Sequence, residues 1–245
     1  LMWIGYIDTR QRDPATARLF EDGLAHGRRI EDPWRRAFLL AQALICYAGY
    51  EALMGRDESA EAKVAECEAE IAKIGNDRLY ISHGRALLGT IAIRRGQFER
   101  AHELLAESLA MYREVESNFD IAGSLAQQGF LALRRDEPVL ALALFRQSLP
   151  MYRNYPTSPG VTRGLAQLLI AFAACGQPRA SARLAGALGV DTAPAELSGT
   201  VKRAYQDALT NVRSVLAAAD FAQEIAAGCA MDREAAIEYA LAAAD

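Results

Sequence analysis

The chain has 245 residues, of which 51% are hydrophobic, and its formal net charge is −4. That is enough apolar material for a continuous core, and only 8 prolines and 18 glycines exclude long disordered tracts. The acidic balance argues against a dedicated nucleic-acid surface, which carries a basic excess.

The sequence opens on Leu1-Met2-Trp3-Ile4, without a basic region or cleavage site, so it reads as a piece of a longer chain with no signal peptide. No apolar run reaches membrane-spanning length. Cys46, Cys67, Cys175 and Cys229 are far apart and form no C-x-x-C pair. They are expected to be buried, reduced thiols in a cytoplasmic protein. Only Lys63, Lys73 and Lys202 among the 27 basic residues are lysine, a bias typical of a GC-rich bacterial genome.

Along the chain, helical hairpins recur. Leu19 to Ala25 mirrors Leu104 to Ala110, and Pro14 stands where a helix starts. Asp32-Pro33 reads as an N-cap followed by a first helical residue. Gly55-Arg56-Asp57-Glu58 matches Gly96-Gln97-Phe98-Glu99, then Asp136-Glu137-Pro138-Val139, then Gly176-Gln177-Pro178-Arg179. Counting the copy near the start, the steps are about 44, 41, 40 and 40 residues. In the best-defined unit, residues 78–95 form helix A, with Leu87, Leu88, Ile91 and Ala92 on one face. Residues 98–115 form helix B, with Ala101, Leu104, Leu105, Leu109 and Tyr112. Gly96 suits the left-handed turn between them. Gly89, Ala101 and Ser108 are small where two helices must approach.

Glu66-Cys67-Glu68-Ala69-Glu70 reads as a solvated helix face, with Glu70 and Lys73 spaced as an i,i+3 pair. After Ala187 the period is expected to break. Residues 189–199 read as a loop, 200–217 as a helix, and 232–243 as a last helix capped by Asp232. The expected division is therefore 1–187, helical repeats, and 188–245, capping helices of the same array. Helices of this kind cannot bury their apolar faces alone, so neighbours must stack. The fold class is all-α: a right-handed α-solenoid of hairpins with a period near forty.

Leu88-Gly89, Gly96, Ala101 and Ser108 resemble tetratricopeptide repeats, although the usual period is 34. The longer unit resembles the helical repeat region of MalT-type and LuxR-type bacterial regulators and signalling ATPases. The tail adds to this likeness through Gln177 to Ala187, Ala204-Tyr205, Phe221-Ala222 and Gly228 to Leu241. The resemblance implies a sensor or interaction arm. It also implies a nucleotide-binding module, and in some cases a DNA-binding module, elsewhere in the parent chain.

No phosphate-binding loop, nucleophile elbow or zinc-protease motif occurs. His26, His83 and His102 share no ligand spacing and read as solvated or capping side chains. No catalytic residue, cofactor or metal is expected. By the tetratricopeptide register, the A helices line a groove for a protein or peptide partner or a small effector. Gln42, His83, Thr90, Arg94, Phe130, Arg134 and Arg163 should face it, together with Ala86, Ile93 and Ala126. Arg94 and Arg134 occupy equivalent positions and would hold a carboxylate by forked hydrogen bonds. Alternatively, they simply complement the negative ends of their helices. Direct nucleic-acid or membrane binding is not expected. The exposed end faces of such an array leave room for a homodimer. A free-standing scaffold is the alternative to the regulator arm.

Overall fold

The computed structural model describes residues 14–75, 77–155, 159–189, 194, 197 and 199–243. The described residues form twelve helices and no strand. They are α1 (Pro14–Gly27), α2 (Pro33–Leu53), α3 (Asp57–Ala72), α4 (Arg78–Arg94), α5 (Phe98–Glu114), α6 (Asn118–Arg134), α7 (Pro138–Tyr152), α8 (Gly160–Ala174), α9 (Pro178–Ala187), α10 (Gly199–Val215), α11 (Ala218–Cys229) and α12 (Arg233–Ala242). The chain divides into two compact units, Leu1–Ser117 and Asn118–Asp245.

The hairpins α2–α3 and α4–α5 build the first unit; α6–α7 and α8–α9 begin the second. Each follows one local recipe. The A helix ends on a residue in left-handed conformation: Gly55 at φ 75°, Gly96 at 73°, Asp136 at 60° and Gly176 at 72°. Each turn closes with the paired bonds of a Schellman motif. In the second, Gln97 N–H donates to Ala92 O at 2.9 Å and Gly96 N–H to Ile93 O at 3.1 Å. The same pair recurs at Arg56 and Gly55, at Glu137 and Asp136, and at Gln177 and Gly176. Proline then opens α7 and α9, where a missing N–H leaves nothing unsatisfied. Asp32, Asp77 and Asp232 cap α2, α4 and α12 by accepting from the N–H of Arg35, Leu79 and Ala235 at 2.7, 2.9 and 2.8 Å.

Within hairpins, a small residue on one helix admits a large one from the other. A Cβ at Gly89 would lie 2.8 Å from the Leu105 side chain, and one at Gly129 would lie 2.4 Å from Phe145. Forty residues further on, the sizes are exchanged: Leu169 stands on the A helix and Ala185 on the B helix, both fully buried. The pair of positions keeps its combined volume near constant, which is what close packing demands.

The first core gathers Leu40, Leu44, Ile45, Tyr50, Val64, Ile71 and Tyr80. The second gathers Phe145, Leu149, Tyr152, Leu168, Phe172, Tyr205 and Ile237. The acidic stretch on α3 is not simply a solvated face. Cys67 is buried, Glu66 accepts from Arg28 at 2.7 Å, Glu68 pairs with Arg85, and Glu70 meets Lys73 at 2.6 Å.

Contrary to the expected break after Ala187, the forty-residue spacing of helix starts continues beyond α9, because α11 begins at Ala218. The pairing changes: α11 packs on α9 rather than on α10. Arg179 meets Asp220 at 2.9 Å and Arg183 meets buried Glu224 at 2.6 Å, so the two helices run parallel. Gly186 and Gly228 bring the backbones together. The expected loop at 189–199 falls largely outside the described residues. The expected helices at 200–217 and 232–243 are α10 and α12.

Candidate functional site

Each unit contributes its own part of the expected A-helix wall: Gln42, His83, Thr90 and Arg94 from the first, Phe130, Arg134 and Arg163 from the second. On α4, His83, Thr90 and Arg94 recur at helical spacing. His83 is neither solvated nor open to a groove: it is buried, with its ring edge-on to Tyr112 at 5.3 Å. Thr90 is half-buried, and its hydroxyl donates to Ala86 O at 3.1 Å. Arg94 pairs with Asp57, the first residue of α3, and thereby ties one hairpin to the next. Gln42 is half-buried on α2.

In the second unit, Phe130 meets Phe145 edge-on at 5.3 Å. Arg134 is exposed in the last turn of α6, where its charge opposes the negative helix end. Arg163 is half-buried near Tyr152. Burial drives the Tyr152 hydroxyl above the ordinary phenol range, and the Arg163 charge pulls against that shift.

Three exposed apolar side chains on α2 escaped the sequence reading: Trp34, Leu39 and Leu53. Trp34 is 57% exposed, yet its ring stacks on Phe38 at 5.3 Å, and Phe38 meets Tyr80 edge-on at 5.7 Å. This aromatic ladder restrains the Trp34 ring. The sequence signal was a tryptophan directly after a capping Asp-Pro, a position that faces out at the start of a helix.

In the first unit, burial favours the neutral form of the Cys46 and Cys67 thiols and of the Tyr47 and Tyr80 hydroxyls. Burial pushes the Cys67 thiol to about 12, where the nucleophilic thiolate is scarce at neutral pH. Burial, a 3.1 Å hydrogen bond to Glu21 and nearby carboxylates push Tyr47 to about 12. Burial does the same to Tyr80. Of the cysteines, Cys67 is buried, Cys46 and Cys175 are half-buried, and Cys229 is exposed, contrary to the expectation of four buried thiols. Among the described residues, no group of three or more His, Cys, Asp or Glu is placed to hold a metal, and no helix is long and apolar enough to cross a membrane.

No family model matches the chain, and no curated protein matches it significantly. Among solved structures, the chain is similar to the crystal structure of BtubC (BKLC) from P. vanneervenii. The TM-score is 0.60 at 14% identity, over 89% of this chain and 92% of that one. At that identity the likeness speaks for the fold: helical hairpins packed in sequence, of the tetratricopeptide-like kind.

Proposed function

We propose that this chain is a non-catalytic interaction scaffold that recruits a protein or peptide partner. The observation that carries this reading is the exposed Trp34 at the start of α2, its ring stacked on Phe38. A rigid, exposed tryptophan is the kind of residue that anchors an interface, because little side-chain entropy remains to be lost on binding. The likeness to tetratricopeptide-like hairpins supports the same reading, and so does the neutral state of the buried tyrosines and Cys67. Within the first unit, Gln42, Thr90 and Arg94 are the accompanying contact positions; Phe130, Arg134 and Arg163 are contact positions of the second unit taken by itself. A cytoplasmic setting agrees with the free thiols.

The test is selection of peptides from a displayed library on the purified chain, followed by titration of the selected peptides. Trp34→Ala should weaken them by at least about tenfold, or roughly 1.4 kcal/mol, with an unchanged helical spectrum. Failure to select any peptide, or equal affinity for Trp34→Ala, would remove the reading.

A second reading makes the chain the interaction arm of a larger bacterial transcription regulator or signalling ATPase. The tail residues Gln177 to Ala187 and Gly228 to Leu241 favour it. It requires a phosphate-binding module in the same reading frame, and a frame without one would dismiss it.

A further inference from the structure

The second unit shows how its hairpins receive an additional helix. α12 rests on α7, α8 and α9, that is, on one B helix and on both helices of the next hairpin. Its buried stripe is Ala236, Ile237 and Ala240. Arg146 of α7 donates to Ala243 O at its end, and the same guanidinium lies 5.6 Å over the Phe172 ring of α8. Arg183 of α9 lies 5.1 Å over Tyr239.

In the first unit, α3, α4 and α5 hold the equivalent places in the chain, about eighty residues earlier, with α3 packed less closely on α4 than α7 is on α8. There the junction is an open cleft of about 260 Å³, with Val64, Ala65, Ala92 and Leu104 in its lining and Glu68 and Arg100 at its rim. The step from the start of α3 to that of α7 is 81 residues, and it is 80 from the end of α4 to that of α8 and from the start of α5 to that of α9. Ala65 and Ala92 therefore hold the places of Arg146 and Phe172. Alanine at both positions leaves vacant the volume that the second unit fills with a guanidinium and a phenyl ring.

We propose that this cleft receives a short amphipathic helix from a partner protein, seated against α3, α4 and α5 as α12 is seated against α7, α8 and α9. The occupant needs an apolar stripe spaced like Ala236, Ile237 and Ala240, with larger side chains than alanine. A cavity of about 150 Å³ already holds a benzene-sized group, so this cleft has room for leucine or methionine. The rim sets the polar side of the match. Glu68 is paired with Arg85. Arg100 is 58% exposed, and its surface ion pair with Glu103 at 3.4 Å is weak enough for a carboxylate on the incoming helix to displace. The proposal adds a second surface to the scaffold reading and is independent of Trp34, so the two can fail separately.

The probe is a fluorescein-labelled peptide of residues 231–243 carrying Ala236→Leu and Ala240→Leu, titrated with the full chain by anisotropy. Saturable binding is expected, with slowed hydrogen exchange over residues 61–68 and 97–104. Ala65→Arg should weaken it at least about tenfold; this exposed position accepts arginine without disturbing the core. Arg100→Glu should weaken it as well. Absence of saturation, or equal affinity for Ala65→Arg, overturns the proposal. A concentration-dependent dimer abolished by Ala65→Arg overturns it too, because the occupant would then be a second copy of the chain.

Discussion

Replacing Gly228 by alanine tests whether α11 belongs on α9. A Cβ at that position would lie 1.9 Å from Arg183 O, 2.9 Å from Ala187 N and 2.9 Å from Gly186 Cα. All three neighbours are backbone atoms, so no side chain can swing away. The helices must part by more than about 1 Å, and overpacking of this kind costs roughly 1–3 kcal/mol. Parting also stretches the 2.6 Å contact between Arg183 and Glu224, a carboxylate only 4% exposed. Disturbing a buried pair adds to the loss, and about 2–4 kcal/mol in total is expected. Gly123→Ala is the internal control. The nearest atom to a Cβ there is Tyr152 Oη at 4.0 Å, so the helix should gain roughly 0.5–1 kcal/mol. Urea unfolding followed by circular dichroism measures both, and hydrogen exchange shows whether α11 and α12 open first. If Gly228→Ala were as stable as the parent, or stabilised like Gly123→Ala, the close α9–α11 crossing would be refuted.

Asp136→Gly should stabilise the chain by about 1 kcal/mol, because φ 60° suits glycine and the three equivalent turns already use it; Gly96→Ala should cost about as much in the same urea assay. Gly129→Ala should cost roughly 1–3 kcal/mol, and Phe145→Ala placed beside it should show strong non-additivity in a double-mutant cycle, since the two residues contest one volume. Raising the pH should weaken the fold. Tyr47 and Tyr80 keep their protons to about 12 when folded but release them near 10 when unfolded. Their contribution is therefore complete below about pH 10 and is lost as the pH rises toward 12, with phenolate absorbance appearing late in the folded chain. A thiol reagent should modify exposed Cys229 rapidly and reach Cys67 only after unfolding, as mass spectrometry of the labelled peptides would show.

The helical hairpins were legible because their signals are local. Gly96 marks a left-handed turn, Pro138 and Pro178 mark first turns, and Asp32 and Asp232 mark caps. Each acts through bonds to residues within a few positions. α11 was not legible as a helix. Ala217 offers no side-chain cap, and the alanine-rich run at 218–229 blurs the apolar period. The candidate site was less legible still, because its features depend on long-range partners. Nothing near Arg94 announces Asp57, 37 residues earlier. His83 belongs to the expected wall by register, yet Tyr112 from the following helix covers its ring. The cleft beside Ala65 and Ala92 appears only when α3 is set against α4 and α5.

The claim on which the rest depends is that one hairpin template repeats along the chain. Backbone chemical shifts from NMR test it most directly, residue by residue. They should give helices opening near residues 57, 98, 138, 178 and 218, with positive φ at Gly55, Gly96, Asp136 and Gly176. Continuous helix through residues 134–138, or extended shifts in any of those segments, would contradict it.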